Sequence, residues 1–319
     1  MTESATALGI DVGGTNLRIA EIDSAGRILS RHAERVTNGR EAFPNRLAEL
    51  VASYRSPNVG AIGIGIPGRV NAAAGLVLSA GYLDIGGLPL AAWLGATTGL
   101  PVVVENDCSM ALIAECAIGA ARSAENVVMF TIGTGIGGAI VQGGRPLHGH
   151  ATAGQLGHIT VRPGGERCNC GRQGCVETTS SGTSLGRLIR EAGLATETTV
   201  ETLFARSEAG DGVASSVLRA WAEPMRDAAT SMAAAFDPDL IVFGGGLGNA
   251  MVRALGQLPP ETSWYSYDFR AAALGDDAGV IGGGLWALAA HRREGVPQSS
   301  LPAFAADVGR VPVFIPQQP

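Results

Sequence analysis

Two stretches of this chain follow the same local pattern, and that repetition limits the fold more than anything else in it. The first is Leu8-Gly9-Ile10-Asp11-Val12, the turn Gly13-Gly14-Thr15-Asn16, and the return Leu17-Arg18-Ile19-Ala20-Glu21-Ile22-Asp23, with apolar residues at alternate positions as in two half-buried strands. The second has a strand over residues 126–132, the turn Gly133-Thr134-Gly135-Ile136-Gly137-Gly138, and a return strand over 139–142. Each is a hairpin rather than a strand-to-helix P-loop. A single Gly-Gly hairpin is an ordinary turn. Two in one chain predict two similar α/β lobes presenting glycine turns to a shared cleft, which suits a polyphosphate ligand. Glycine lacks Cβ, so the amides of Gly13, Gly14, Thr15 and Asn16, and those of Gly133, Thr134, Gly135 and Gly137, can approach phosphate closely. Asp11, at the end of its strand, is placed to hold Mg2+ or its water shell.

Between the second hairpin and the later helices lies Gly157-His158, followed by Cys168-Asn169-Cys170-Gly171-Arg172-Gln173-Gly174-Cys175-Val176-Glu177. His158, Cys168, Cys170 and Cys175 supply one nitrogen and three sulfurs, the closed tetrahedral set of structural zinc. The glycines among them permit the tight turns such a loop needs. Zinc at one ring nitrogen of His158 would leave the other for a polar ligand, and would hold Glu177 rigidly two residues beyond the last thiolate. The alternative is a staple with no ligand near it. Cys108 and Cys116 fall in one predicted helix, about 12 Å apart at ~1.5 Å per residue, and so cannot pair.

The remaining pattern predicts a strand over 27–35, a helix over 41–53, a buried strand over 59–66 ending in the turn Pro67-Gly68-Arg69-Val70-Asn71, and a helix over 90–98. A strand over 101–104 then runs into Glu105-Asn106-Asp107 and a helix over 109–119. Strand, polar tip and helix is the geometry at which an open α/β sheet meets its ligand, although an aspartate before a helix is also a common N-cap. Helices are predicted over 184–192, 200–205 and 213–236. A strand over 240–243 leads to Gly244-Gly245-Gly246-Leu247-Gly248, where adenine and ribose could lie on bare backbone or a simple loop could turn. A strand near 270–274 and an apolar helix over 278–293 entered through Gly282-Gly283-Gly284 complete the pattern. The expected lobes are 1–107, completed by the helix 278–293, and 108–277 with the metal loop 158–177; residues 297–319 read as an extended or disordered tail. The 319 residues can bury two cores, and the net charge of -6 argues against a nucleic-acid surface. No signal peptide or membrane span is visible, so a cytoplasmic protein is expected.

Taken in order, Asp11-Val12-Gly13-Gly14-Thr15-Asn16, Glu105-Asn106-Asp107, Gly133-Thr134-Gly135-Ile136-Gly137-Gly138, Gly157-His158, the cysteine run through Glu177 and Gly244-Gly245-Gly246 resemble the ROK family (repressors, open reading frames and sugar kinases) of the actin-like, hexokinase-like superfamily. The resemblance covers nearly the whole chain. It implies two ribonuclease H-like lobes around a cleft, and an ATP-dependent kinase using Mg2+ and structural Zn2+. It also implies Asp107 as general base, Gly68, Asn71, Asn106, Gln155, His158 and Glu177 around the sugar, and Gly245 and Gly246 at the nucleotide. It further implies a homodimer or homotetramer, and glucose phosphorylated at the C6 hydroxyl. The first phosphate turn begins so early that no winged helix-turn-helix of the regulatory branch is expected before it.

One residue departs from the family pattern. Gln155 stands where a glutamate is usual, and it exchanges an acceptor of sugar hydroxyls for a group that also donates. A site that reads hydroxyls by hydrogen bonds can discriminate by ~10⁴ or more, so this exchange bears on which sugar is used. An amino-sugar kinase, for N-acetylmannosamine or a 3-amino-3-deoxy-glucose, is therefore the alternative. A sugar sensor without turnover is the reading from another class. Either kinase reading expects the metal loop and Asp107 to wall one pocket.

Overall fold

The computed structural model describes residues 5–81, 83–260 and 264–291. The chain begins with β1 (Thr6–Val12), β2 (Asn16–Ile22), β3 (Ile28–Arg35), α1 (Ala42–Tyr54) and β4 (Val59–Ile66). A small hairpin, β5 (Arg69–Asn71) and β6 (Leu76–Ser79), leads to α2 (Leu90–Thr98), β7 (Val102–Asn106) and α3 (Asp107–Ile118). The second half opens with β8 (Val127–Ile132), β9 (Ile136–Gln142) and β10 (Arg145–Pro146), and after the cysteine loop come α4 (Glu177–Ser180), α5 (Gly182–Glu191), α6 (Val200–Glu208) and α7 (Gly212–Phe236). It closes with β11 (Leu240–Gly244), α8 (Gly248–Gly256), β12 (Phe269–Ala271) and α9 (Ala278–His291).

The two sheets have one topology. The first has the order β3-β2-β1-β4-β7 and the second β10-β9-β8-β11-β12. In each, an antiparallel hairpin is extended by two strands parallel to its first strand. Parallel strands need both faces covered, so β4 and β11 are apolar almost throughout rather than alternating. Leu8, Ile10, Ile62, Phe43 and Leu47 centre one core, and Phe130, Phe243, Leu203 and Trp221 centre another. Among the described residues no helix is long and apolar enough to cross a membrane.

The helix α9 returns to the first sheet although it is the last of the described elements. A Cβ added at Gly9 of β1 would lie 1.8 Å from the Val280 carbonyl oxygen, and one at Gly63 of β4 would lie 1.9 Å from that of Gly283. Backbone therefore meets backbone, which only glycine permits. On its other side α9 meets α3: a Cβ at Gly282 would fall 1.8 Å from the Met110 carbonyl oxygen. The pair α3 and α9 thus lies where the two halves meet.

Several predicted elements are corrected. Asp107 is not the N-cap of α3: Asn106 is, its carboxamide oxygen accepting from the Cys108 and Ser109 amides, and Asp107 is the first helical residue. The helix predicted from 184 starts at Gly182 because the Ser181 hydroxyl caps it. The strand predicted over 270–274 ends at Ala271, since the Ala273 and Leu274 amides are taken by the Glu115 carboxylate at 2.9 Å each. The turn after β4 opens the β5–β6 hairpin, whose strands are too short for periodicity to reveal, and the glycines after β11, read as a loop, lead into α8. The tail expected over 297–319 and the last two residues of the helix expected over 278–293 lie outside the described residues.

Candidate active site

One cavity of about 210 Å³ collects residues from both sheets and from the helices between them: Asp11, Arg18, Asp107, Thr131, Gly245 and Asp276 among its lining. Asp11 and Arg18 face each other across the β1–β2 ladder. The Arg18 guanidinium lies 3.3 Å from the Asp11 carboxylate and 3.0 Å from that of Asp276, just ahead of α9. Asp107 enters from the N-terminus of α3, where partial positive charge favours an anion, and one oxygen accepts from the Cys108 amide at 2.9 Å.

Burial, and then the charge of Asp107, push the Asp11 carboxyl up to about 6, with Arg18 partly opposing them. Burial also pushes Asp107 up. All 23 basic side chains of the protein are arginine, and Arg18 is the basic residue lining this cavity among the described residues. With Asp11 and Asp107 both buried and the Arg18 guanidinium shared between Asp11 and the exposed Asp276, the space is short of positive charge, which fits a divalent cation at Asp11.

Beside Asp107 lies a polar tip. The Gly68 carbonyl accepts from the Asn106 carboxamide at 3.0 Å and from the Gln155 carboxamide at 3.4 Å, drawing a residue of the second half to the strand ends of the first sheet. Gly68 can hold that turn because its φ is +94°. Asn106 spends its oxygen on the α3 cap and one N–H on Gly68, leaving one N–H for a ligand. The Asn71 oxygen instead caps the short turn 72–74, accepting from Ala74 at 3.2 Å.

The glycine turns present different faces. Gly14, Thr15 and Asn16 are exposed, and Gly13 closes the turn by donating to the Asn16 carbonyl at 2.9 Å. In the second turn, Thr134 is exposed; its carbonyl accepts from the Thr183 hydroxyl at 2.7 Å, and that of Gly133 from the Gly182 amide at 2.8 Å, tying the turn to the start of α5. Gly137 is where a side chain would strike Cys108, its Cβ falling 2.5 Å from the thiol sulfur. Gly245 lines the Asp107 cavity, whereas Gly246 is exposed and outside it.

His158, Cys168, Cys170 and Cys175 offer ligand atoms all within 4.8 Å of one another. The His158 Nδ1 lies 3.5 Å from the Cys168 sulfur and the Cys170 and Cys175 sulfurs are 3.6 Å apart. A tetrahedral site with Zn–S bonds of ~2.3 Å needs sulfurs about 3.8 Å apart, so the set fits zinc. Nδ1 is the nitrogen turned toward the thiols, which leaves Nε2 for other contacts.

The metal loop approaches the Asp107 tip through Gln155, which shares the Gly68 carbonyl with Asn106, and it also lines a cavity of its own. Cys168 and Glu177 line a second cavity, of about 570 Å³, with Thr134, Gly135, Thr183 and Arg187. Glu177 accepts from the Ile136 amide at 2.9 Å, so its carboxylate braces one side of the β8–β9 turn while Cys108 touches the other. The two cavities flank the same hairpin. Sequence reasoning also missed Arg18, although its place opposite Asp11 follows from hairpin register. It missed Asp276 and the pairing of Glu105 with His148, which have no local signal.

A family model described as ROK family matches residues 7–290. A glucokinase from Halalkalibacterium halodurans is 36% identical over 309 residues, covering 87% of this chain and 93% of its own. An N-acetylmannosamine kinase from Yersinia pestis is 30% identical over 289 residues, covering 88% and 97%. Among solved structures, a ROK family glucokinase from Streptomyces griseus in complex with glucose and AMPPNP superposes with a TM-score of 0.73 at 30% identity, covering 89% of this chain and 99% of that one.

Proposed function

The chain belongs to the ROK family, and on that premise we propose that it is an ATP-dependent sugar kinase transferring the γ-phosphoryl group to the C6 hydroxyl of glucose or a close relative. The observation that carries the reading is the cavity in which Asp11 and Arg18, Asp107, and Thr131 with Gly245 converge from two sheets and the helix between them. The glucokinase from Halalkalibacterium halodurans and the glucose and AMPPNP complex from Streptomyces griseus support it.

In this reading Asp107 is the base that takes the proton of the attacking hydroxyl, worth ~10²- to 10⁴-fold. Asn106, Gln155, Gly68, His158 and Glu177 orient the sugar, and the turns 13–16 and 133–137 cradle phosphates, with Gly245 and Gly246 toward the nucleoside. A magnesium ion held at Asp11 would neutralise phosphate charge. Arg18 supplies the nearby side-chain cation, since the chain has no lysine. His158 and the three cysteines would hold zinc as a structural clamp on the loop that ends at Glu177. The lobes are residues 1–107 with α9, and 108–277, closing on sugar and ATP, and the assembly is a homodimer or homotetramer, read out by light scattering.

The test is ADP release across a panel of glucose, mannose, N-acetylmannosamine and amino-deoxy sugars. Glucose is expected to give the highest kcat/KM. No ADP with any sugar would overturn the kinase. Gln155 favours a second reading, an amino-sugar kinase, because its carboxamide reaches the Gly68 carbonyl beside Asn106 and can donate to an acyl or hydroxyl oxygen. N-acetylmannosamine as best substrate, with Gln155→Glu moving preference toward glucose, would establish it.

A further inference from the structure

Glu105 is the last residue but one of β7 and only 2% exposed, yet it carries a carboxylate. A buried carboxylate is retained only where hydrogen bonds and opposite charge replace water. One oxygen accepts from the Asn106 amide at 2.7 Å. The other is bound by the Nε2 of His148, which follows β10 on the edge of the other sheet. Asn106 is in turn the cap of α3 and the anchor of Gly68. A continuous path therefore runs from the second half through His148 and Glu105 to the residue preceding the catalytic base.

The pair borders a small cavity. A cavity of about 190 Å³ beside His148 is walled by Ala72, Val103, Val104, Pro146 and Trp286, with Arg145 the other charged lining residue among those described. The lining that β7 and the turn 72–74 contribute is apolar, Arg145 is the charged neighbour, and Asp107 lies two residues beyond Glu105.

We propose that His148 is a positioning residue for the kinase site: through the Glu105 carboxylate it fixes the Asn106 amide, so that the sugar-binding tip and the start of α3 are set only when the two halves stand together. The role rests on the kinase reading. It concerns neither the phosphate turns nor the metal loop. Its hydrogen bond to the Glu105 carboxylate raises the His148 pKa against the opposing effect of burial. The charged pair is therefore complete below the ordinary histidine range and is lost as pH rises through the raised value.

The test uses the full-length protein. Imidazole NMR should show His148 titrating above the ordinary histidine range in the wild type and returning toward it in Glu105→Gln. Calorimetric sugar binding, with no nucleotide, should weaken about tenfold in His148→Ala, about the effect of one misplaced hydrogen bond, while ATP affinity stays within about twofold. His148→Gln, which donates an N–H without titrating, should recover most of that affinity and lack the wild-type loss at alkaline pH. If His148→Ala does not fold, His148→Gln and the NMR titration carry the test. An unshifted His148, or wild type and His148→Gln with the same alkaline loss, would overturn the proposal. A wild type that binds sugar but releases no ADP would sink the kinase reading and leave this test in force.

Discussion

In the proposed mechanism Asp107 carries the sharpest conflict in the molecule, because burial disfavours the charge that proton abstraction requires. Asp107→Asn should lower kcat by ~10²- to 10⁴-fold and, by removing a buried charge, raise the melting temperature of the ligand-free protein at pH 7. The sign follows from the raised pKa: the charged form is penalised above that value and the penalty is absent below the ordinary carboxylate range of about 3.9. The stability difference should thus vanish by about pH 4, and kcat of the wild type should fall with an acid midpoint above the usual carboxylate value. Melting curves and a pH-rate profile check both. Arg18→Leu should raise the KM for ATP by about tenfold or more while sugar affinity by calorimetry stays unchanged, since a charge-assisted contact to phosphate is worth ~1.5–3 kcal/mol. Asp11 and the cysteine set could be picked out beforehand, beside a glycine turn and at ligand spacing, whereas Asp107 alone reads as a helix cap and stood out only through the family resemblance. Arg18 was legible only through pairing register. Glu105 with His148, which are 43 positions apart, left no trace in any window.

At the scale of elements, long amphipathic or strongly apolar segments could be read and short ones could not. The strands β1, β2, β4, β8 and β9 follow from alternation or apolar runs, and α7 from its length. The β5–β6 hairpin and β10 are too short, and α8, as long as the predicted α2, begins among glycines that read as a loop. Where β12 stops depends on Glu115, a fully buried carboxylate of α3 that accepts from Ala120 at 2.7 Å as well as from Ala273 and Leu274. Glu115→Gln would turn an N–H against those donors and should cost ~1–3 kcal/mol in denaturant titration. For α9, Gly63→Ala must displace backbone and should cost about 3 kcal/mol. Gly246→Ala, which meets nothing within 4 Å, should stay within about 0.5 kcal/mol.

Across the whole molecule, the strand order repeats while each half carries different chemistry: Asp11 and Arg18 in the first, the metal loop in the second. Metal analysis of freshly purified protein should find one zinc per chain. Cys168→Ser should lose it and become susceptible to protease within 158–177, because closed zinc sites contribute directly to folding. A zinc-free preparation as resistant as the wild type would remove the metal from the account. The placement of α9 against β1 and β4 has a consequence for synthesis. The first sheet leaves the ribosome early, yet the helix that covers it is made last, roughly ten to forty seconds later at ~5–20 residues per second. Throughout that interval the nascent chain exposes a bare apolar surface, so it is at this stage, rather than as the finished enzyme, that the protein has most need of a chaperone.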